Sequence, residues 1–491
     1  MTTQPAPDEA FRDSGYEPEL KRTLGGFQVF AISFAFISVA VGIFATYGAV
    51  LGNAGPVGIW LWILASVGQT LVALVVAQFA ARIALSGSSY QWASRLANPK
   101  VGWLFGWLTF WYLAIAVVAL DNALATQAIM PLAGLPENEG AGRLITVVIM
   151  VIQAALVIGS TRLLGILTAG AVGIELAIVV VLVIALAAVV VFTGSGDIAN
   201  LTSRGVAVAD PNYLAIGGGL MAGMIMGLTT LVGFDSAANL AEEAKEPFRS
   251  VPRAIIGSVL AASALGFLFL IALTVAIKDI PAATNSGSPI ASIIRSQLGS
   301  IAERTLLAGL AIAMFGAGMV MMAACARQVF AMARDQRFPA HRLMRQVNPR
   351  TRTPVAATIL ILAVGLVLML ALPGQALLQL IIGSTILPAL IYGATVALYL
   401  SVRKHLGSKD GGFSLGRFEL PVAVAALIWI AVALVCLVTP GDGTVPALIV
   451  LALIVAGGAY FGWMLMFNRE VLDTEPGSEQ RLPLRAEHPA G

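Results

Sequence analysis

Long apolar stretches alternate with short polar ones along nearly the whole chain. A helix needs about 20 predominantly apolar residues to cross the hydrocarbon core of a bilayer. Each stretch here reaches or approaches that length, so each is predicted to be a membrane-spanning helix. The stretches lie at about 26–51, 55–82, 101–129, 142–160, 164–193, 214–241, 253–277, 304–333, 354–372, 376–402, 420–438 and 444–467. The pattern predicts an all-α integral membrane protein with about twelve transmembrane helices.

The composition agrees with this prediction, because 58% of the 491 residues are hydrophobic and only 11% are charged. Such a chain is too apolar to form a water-soluble domain of this length. The longest interior polar stretches, about 194–213, 278–303 and 334–353, have the length of loops. We therefore expect one membrane domain over 26–467, with polar tails at 1–25 and 468–491 and no separate soluble domain.

Positive charge is unevenly divided between the two sets of loops. If every predicted helix crosses the bilayer, Arg143, Arg204, Lys278, Arg295 and Arg304 fall on the side opposite the N-terminus. The remaining lysines and arginines of the loops and tails, which are more numerous, fall on the side of the N-terminus. Loops rich in Lys and Arg stay in the cytoplasm. The sequence thus predicts a multi-pass protein of the cell membrane with both termini cytoplasmic.

The sequence lacks the signatures of an enzyme or of a cofactor protein. It has no phosphate-binding glycine loop followed by Lys, no paired histidines and no nucleophile elbow. Its two cysteines, Cys325 and Cys436, lie within predicted helices and form neither a disulfide framework nor a metal site. A net charge of +3 requires no nucleic acid as partner. We expect no catalytic residues, no metal and no cofactor.

Two short stretches resemble breaks within membrane helices. Residues 38–44 lie in the first apolar stretch and residues 227–233 in the sixth, and both combine glycine with small or polar residues. An unwound turn leaves amide and carbonyl groups without partners, which is tolerated only where they face a cavity or a ligand. Half-helix N-termini attract a carboxylate, and free carbonyls attract an ammonium group. The two breaks favour a carrier of a small solute with an amino group, an acid group or both.

Three acids lie inside predicted helices: Asp121, Glu175 and Asp235. A carboxylate at the centre of a membrane helix costs about 2.5–3.5 kcal/mol on insertion scales, so each should face the protein interior or water. Each also has a structural alternative. Asp121 could be an interfacial group instead of a substrate contact, Glu175 could be protonated or internally hydrogen-bonded instead of a coupling group, and Asp235 could cap the helix that resumes after the second break.

Several motifs resemble those of the amino acid-polyamine-organocation superfamily, above all its amino acid, choline and GABA branch. Residues 233–254, GFDSAANLAEEAKEPFRSVPRA, are similar to the sixth-helix signature. SGSSYQW at 86–92 and GWLFGW at 102–107 resemble the entry to the third helix. ARDQRFP at 333–339 and NPRTRTP at 348–354 resemble the loop after the eighth helix. These motifs are specific for the superfamily and carry little information about a substrate.

The resemblance implies a LeuT-type inverted repeat of five plus five helices, about 26–193 and 214–402, followed by helices 11 and 12 over about 420–467. By analogy, the backbone around Ser38, Ala40, Val41 and Gly42 would receive a substrate carboxylate. Carbonyls around Thr229 and Val232 would hold its amino group. Asp121 falls near a third-helix position that contacts substrate in some members, and Asp235 falls near an acid linked to proton coupling in some members.

The sequence also departs from the pattern of these permeases. Their glycine-rich first-helix motif is replaced by Ala40, Val41 and Gly42, which removes a serine hydroxyl, and the acid of the second helix is Gln78. A carboxylate at Asp121 would then favour a cationic or amine-bearing solute. Residues 306–333 contain no Ser or Thr, so they offer none of the hydroxyl ligands that sodium needs. Proton symport through Asp235 or Glu175 is the first expectation, and solute exchange without a coupling ion is the alternative.

Three functional classes follow from these features. The first is a secondary transporter that moves amino acids or small amines, GABA-like, choline-like or polyamine-like, by alternating access. The second is a membrane receptor or channel that binds a similar solute without carrying it. An integral-membrane enzyme comes last, because the membrane acids lack a metal-binding or nucleophilic partner. The partners expected are a small-molecule substrate, protons and the lipid bilayer, while the identity of the solute and the oligomeric state stay open.

Overall fold

The computed structural model describes most of the chain, and the fold is given for those residues. The described residues are 24–83, 88–136, 138–159, 161–351, 353–371, 376–404, 406 and 413–473. The two predicted tails, 1–25 and 468–491, therefore fall mostly outside the described residues.

The described residues form helices joined by short connections, with one isolated β-bridge between Leu24 and Ala244. The main helices are numbered here in chain order. They are α1 (Gly26–Ile37), α2 (Val39–Asn53), α3 (Leu61–Ala80), α4 (Ser88–Leu96), α5 (Pro99–Ala123), α6 (Glu139–Gly159), α7 (Thr161–Thr193), α8 (Ile225–Thr230), α9 (Pro247–Val275), α10 (Pro289–Arg334), α11 (Val355–Ala371), α12 (Ala376–Val402), α13 (Glu419–Val438), α14 (Thr444–Phe467) and α15 (Arg469–Asp473).

The predicted fold class is confirmed. Eleven segments of the described chain are long and apolar enough to cross a membrane, and α11 adds a shorter apolar helix. The molecule is an all-α, multi-pass membrane protein whose helices follow the twelve apolar stretches of the sequence. The predicted bounds are met at Ala376–Val402 and Thr444–Phe467, and most other helix ends differ by a few residues. The side chain of Asn98 accepts a hydrogen bond from the Val101 amide at the start of α5, and Pro99 occupies its first position.

The eighth span begins much earlier than the sequence pattern predicts. Residues 278–303 are expected to be a polar loop, but α10 already starts at Pro289 and continues to Arg334. A left-handed residue, Gly299 at φ +85°, divides this long helix into two parts. The first part has several polar side chains, yet Ile290, Ile293 and Ile294 are buried. The pattern fails here because a short amphipathic helix next to a span does not resemble an apolar stretch.

The described spans differ strongly in how much of them is covered by other helices. The apolar window of the third span, which contains α5, is 83% buried, whereas those of the fifth and twelfth spans are only 17% buried. The first, sixth and tenth spans are also largely buried. The two interrupted spans therefore lie largely inside the molecule. Helices α7 and α14 offer most of their surface to the surroundings, although Glu175 of α7 is itself buried. This arrangement places the predicted site residues in the interior.

Candidate functional site

The first span is interrupted at a single residue. Helix α1 ends at Ile37, α2 begins at Val39, and Ser38 between them has left-handed backbone angles of φ 44° and ψ 76°. Left-handed geometry is uncommon for a residue with a Cβ atom. The first amides of α2 therefore have no acceptor within the helix. The sequence predicts an unwound stretch over residues 38–44, but residues 39–44 are helical, so the interruption is real and shorter than expected.

A carboxylate from the fifth span occupies this interruption. Glu175 of α7 accepts hydrogen bonds at Oε1 from the Ser38 hydroxyl, at 3.0 Å, and from the Ala40 backbone amide, at 3.1 Å. Its side chain is buried, with 3% of the residue exposed. The start of a helix carries a partial positive charge, so a carboxylate at this place is stabilised. Glu175 thus occupies the place expected for the carboxylate of a substrate.

The sixth span is interrupted at residues 231–233. Helix α8 ends at Thr230, Gly233 has a φ of +80°, and the chain continues as a 3₁₀ helix over Phe234–Glu243. Glycine is favoured at Gly233 because a side chain in this conformation is strained and a Cβ atom would overlap the ring of Phe36. The sequence predicts a break over 227–233, but the first four of these residues are helical, so this break is also shorter than expected.

The two interruptions face each other closely. A Cβ atom added to Gly42 of α2 would overlap the side chain of Thr230, the last residue of α8. On the other side of the breaks, the Ser33 hydroxyl of α1 donates to the Phe234 carbonyl at 2.8 Å and accepts from the Ala237 amide at 3.3 Å. The first and sixth spans are therefore joined just before and just after the points where their backbones are interrupted.

A second connection joins these segments nearer to the N-terminal end of α1. Leu24 and Ala244 form the isolated parallel bridge, and the Lys245 amide donates to the Leu24 carbonyl at 3.0 Å. Helix α1 and the 3₁₀ segment Phe234–Glu243 are thus hydrogen-bonded to each other at both ends. They form one paired unit beside the breaks.

Asp235 belongs to a partly buried polar network that reaches the tenth span. Its Oδ1 accepts from the Tyr392 hydroxyl at 2.7 Å and its Oδ2 accepts from the Ser88 hydroxyl at 3.3 Å. The same Tyr392 oxygen accepts from the Gly233 amide at 3.0 Å, and the Tyr392 ring stacks on Phe234 at 4.8 Å. The carboxylate therefore links the second break to α12 and to α4, the helix that precedes the third span.

Asp121 is fully buried, and its hydrogen-bond partner lies on the fourth span. Gln153 of α6 donates from Nε2 to Asp121 Oδ1 at 2.8 Å and to the Phe315 carbonyl of α10 at 3.2 Å. The second oxygen, Oδ2, has no partner among the described residues. A π-helical turn, Leu124–Ile129, follows directly after α5, and such turns are frequent at functional sites. Gln153 thus connects Asp121 of α5 to α6 and α10, and neither of its two bonds reaches the breaks.

The two predicted carbonyl positions of the sixth span have different surroundings. Thr229 is helical, and its hydroxyl lies 2.9 Å from that of Thr385 on α12. Val232 lies within the break and borders a cavity between α3, α8, α12 and α13. The lining residues are Gln69, Leu228, Val232, Thr385, Ala389, Tyr392, Trp429, Ile430, Ala433 and Leu437. This cavity touches the sixth-span break and does not include the first-span break.

The structure thus brings most of the predicted residues together. Ser38 and Ala40 share Glu175 as a partner, while Val41 is 6% exposed and Gly42 packs on the end of α8 beside Thr229. Asp235 lies at the second break. Asp121 stands apart, with Gln153 as its partner. Within the described part of the chain, no group of three or more His, Cys, Asp or Glu side chains is arranged to hold a metal ion.

Three polar residues at the site were not singled out from the sequence: Ser33, Gln153 and Tyr392. Each is a single polar residue in an apolar stretch, and many polar residues in such stretches have no part in a site. For Tyr392 a signal exists, because Pro388 lies inside α12 and deprives the helix of a backbone hydrogen bond close to Thr385 and Tyr392. Prolines are tolerated in membrane helices where neighbouring groups replace the lost bond. Polar residues that flank a proline inside a membrane helix therefore indicate candidate site residues.

Comparison with known proteins gives consistent matches over most of the chain. A family model described as "Amino acid permease" matches residues 24–465. The chain is 28% identical to the amino-acid permease BAT1 of Arabidopsis thaliana over 458 residues, which are 85% of this chain and 86% of the relative. It is 27% identical to the BAT1 homolog of Oryza sativa subsp. japonica, over 86% of this chain and 85% of the relative. It is also 27% identical to the GABA-specific permease of Saccharomyces cerevisiae, over 71% of this chain and 63% of that protein.

Proposed function

The chain belongs to the amino acid permease family, as its superfamily motifs predict, and on that premise we propose that it is a secondary active transporter working by alternating access. The family and the names of the relatives identify an amino acid transporter and not an enzyme.

The close contact of the two interrupted spans is the observation that carries the proposal. Gly42 lies one helical turn after the first interruption, and it touches Thr230, the last helical residue before the second interruption. Broken helices at corresponding positions of two repeats are typical of transporters with an inverted repeat. The first and sixth spans are the first members of two sets of five in the expected LeuT-type arrangement. The proposed domain therefore comprises repeats at about 26–193 and 214–402, with α13 and α14 added after them.

We assign the backbone groups at the breaks to the substrate. Around Ser38, Ala40, Val41 and Gly42, the donors for a carboxylate are the Ser38 hydroxyl and the amides of Ala40 and Val41, since the amides of Ser38 and Gly42 donate to backbone carbonyls. Carbonyls around Thr229 and Val232 supply acceptors for an ammonium group. Asp121 supplies negative charge deeper in the third span. Its oxygen Oδ2 has no partner among the described residues, which supports a contact with a cation.

The substrate class follows from these charges. A relative from Saccharomyces cerevisiae is named a GABA-specific permease, and GABA carries an ammonium group and a carboxylate several bonds apart. We propose an amino acid or a small amine of this kind, with choline-like and polyamine-like solutes as the other candidates. The solute crosses the cell membrane, and both tails of the protein lie in the cytoplasm according to the distribution of Lys and Arg.

For coupling we propose proton symport. Asp235 and Glu175 are acids inside the spans and lie directly at the two breaks. Such acids are typical of proton relays in membrane transporters. A sodium site is disfavoured because residues 306–333 of α10 contain no Ser or Thr to offer oxygen ligands. Exchange of two solutes without a coupling ion is the alternative within the same fold.

The function can be tested with purified protein in liposomes. We expect preloaded unlabelled substrate to accelerate the uptake of labelled substrate in an uptake screen of amino acids, GABA, choline, putrescine and ethanolamine. Such counterflow requires a carrier. A protein that binds a solute in the same assay without accelerating its uptake would be a receptor, and the carrier proposal would be wrong.

The coupling ion needs a separate measurement on the same liposomes. An imposed inward proton gradient should drive accumulation of the solute in sodium-free buffer, and a sodium gradient at equal pH on both sides should not. Accumulation that requires sodium and ignores the proton gradient would contradict proton symport. Exchange that responds to neither gradient would instead identify the solute exchanger.

A further inference from the structure

The carboxylate of Glu175 lies on the hydrogen-bond donors that the proposed function reserves for a substrate carboxylate. The Ser38 hydroxyl and the Ala40 amide both donate to its Oε1. One set of donors at one helix start cannot hold two carboxylates, because like charges at this distance repel each other. The binding site for an acid group is thus already occupied by a group of the protein itself.

From this occupancy we propose that Glu175 is a tethered competitor of the substrate carboxylate. The inference rests on the proposed function, since it needs a solute that reaches the first break. A solute with a carboxylate must displace Glu175 from the start of α2, whereas an amine without a carboxylate binds without displacing it. Glu175 therefore sets the balance between amino acids and amines at this site.

The surroundings of Glu175 support a group that can leave. Its hydrogen-bond partners among the described residues are Ser38 and Ala40 alone, and both bond the same oxygen. The other oxygen, Oε2, has no hydrogen-bond partner there. A carboxylate with a permanent structural role would be expected to use both oxygens or to pair with a buried cation. Glu175 is also on α7, which is outside the pair of broken spans.

The competitor role differs from two simpler ones. If Glu175 only held the break together, its removal would weaken the binding of amino acids and amines alike. If it held the ammonium group of the substrate, its removal would weaken both members of an amino acid and amine pair, since both carry that group. A competitor alone predicts that binding of the amino acid improves while binding of the amine does not. The ratio of the two affinities separates these roles.

The experiment uses full-length protein reconstituted in nanodiscs and two matched probe pairs. The pairs are 4-aminobutyrate with propylamine and alanine with ethylamine, in which each amine is the amino acid without its carboxylate. If the uptake screen finds another amino acid, that compound and its decarboxylated amine are used. In Glu175→Gln the amide keeps an oxygen for Ser38 and Ala40 but loses the charge. We expect the amino acid to bind about tenfold more tightly relative to its amine than in the wild type.

Two further variants keep the test decisive. Glu175→Asp retains the charge and shortens the side chain by one methylene, so it should shift the ratio of the two affinities in the same direction by a smaller factor. This variant replaces Glu175→Gln in the test if the glutamine variant does not fold. Thr395→Val is the control, because the Thr395 hydroxyl is buried and its only hydrogen bond within the described part of the chain goes to the Ile391 carbonyl of its own helix. Its affinity ratio should equal that of the wild type.

The outcomes distinguish this inference from the function on which it rests. Wild-type protein without counterflow for any probe would overturn the transporter proposal. Wild-type protein with normal counterflow, combined with an unchanged or reversed affinity ratio in Glu175→Gln, would overturn the competitor role and leave the transporter proposal standing.

Discussion

The hydroxyl of Tyr392 donates a hydrogen bond to the Asp235 carboxylate at 2.7 Å, and it accepts one from the Gly233 amide at 3.0 Å. One side chain of the tenth span thereby fixes both the backbone and the acid of the second break. A buried amide or carboxylate that loses such a partner bears a desolvation cost of about 1–3 kcal/mol. The shape of this break therefore depends on the tenth span as much as on the sixth.

Tyr392→Phe should destabilise the protein by about 1–3 kcal/mol, because the Gly233 amide and Asp235 each lose a partner. The same variant should slow counterflow. The measurements are the apparent melting midpoint in detergent and the rate of counterflow in liposomes. Tyr460→Phe is the control, since the Tyr460 ring stacks on Trp463 and its hydroxyl has no hydrogen-bond partner among the described residues. Equal melting midpoints for both variants would show that the network around Tyr392 contributes nothing.

Gly42→Ala should strongly reduce transport. The added methyl group would overlap Thr230, so α2 and α8 would have to separate at the breaks. Gly52→Ala lies in the same helix with no neighbour within 4 Å of the added carbon, and alanine favours a helix over glycine, so this control should transport normally. Initial uptake rates at equal protein amounts measure both. Normal uptake by Gly42→Ala would mean that the close approach is not needed for transport.

Asp121→Asn tests whether the third-span acid contacts the solute. If it pairs with a cation, the variant should depress uptake of putrescine by about tenfold or more, about 1.4 kcal/mol, while sparing a zwitterion such as alanine. Gln153→Leu removes the hydrogen-bond partner of Asp121 and keeps its charge. If both variants reduce uptake of both solutes equally, Asp121 has a structural role and is not a substrate-binding residue.

The sequence indicates all twelve spans and most of the site, and the reasons for its failures are local. Each apolar stretch predicts a helix because the bilayer requires internal backbone hydrogen bonds. The breaks at Ser38 and Gly233 follow from small and polar residues within those stretches. The exact length of each break does not, because it depends on partners such as Glu175 and Tyr392, which lie far away in the chain. The partnership of Asp121 with Gln153 is likewise a tertiary contact that no local pattern contains.

Outside the spans, Asp335 should make stability depend on pH. Burial raises the pKa of Asp335, although Arg334, the Tyr90 hydroxyl, Arg337 and Arg95 act in the opposite direction. A raised pKa means that the folded protein disfavours the ionised acid, so the contribution of Asp335 to stability is lost as pH rises from about 4 through the raised pKa. Melting curves across this range should therefore show a flatter dependence on pH for Asp335→Asn than for the wild type.

Asp473 provides a control of opposite sign. The pKa of this exposed acid is lowered by the hydrogen bond from Lys100, whose Nζ lies 2.8 Å from its carboxylate. Its contribution is present at neutral pH and is lost as pH falls below about 4. Asp473→Asn should leave the pH dependence between 4 and 7 unchanged. The assignment to Asp335 would be contradicted if Asp473→Asn flattened the pH dependence of melting in that range. It would also be contradicted if Asp335→Asn left that dependence as it is in the wild type.

The double attachment of α1 to the segment after the second break has a mechanical consequence. Ser33 bonds Phe234 and Ala237 beside the interruptions, and Leu24 bonds Lys245 at the far end. Two anchor points about one short helix apart resist rotation of one piece against the other. Under the proposed alternating access, these two segments are expected to move together, with the interrupted backbone at Ser38 and Gly233 as the expected hinges.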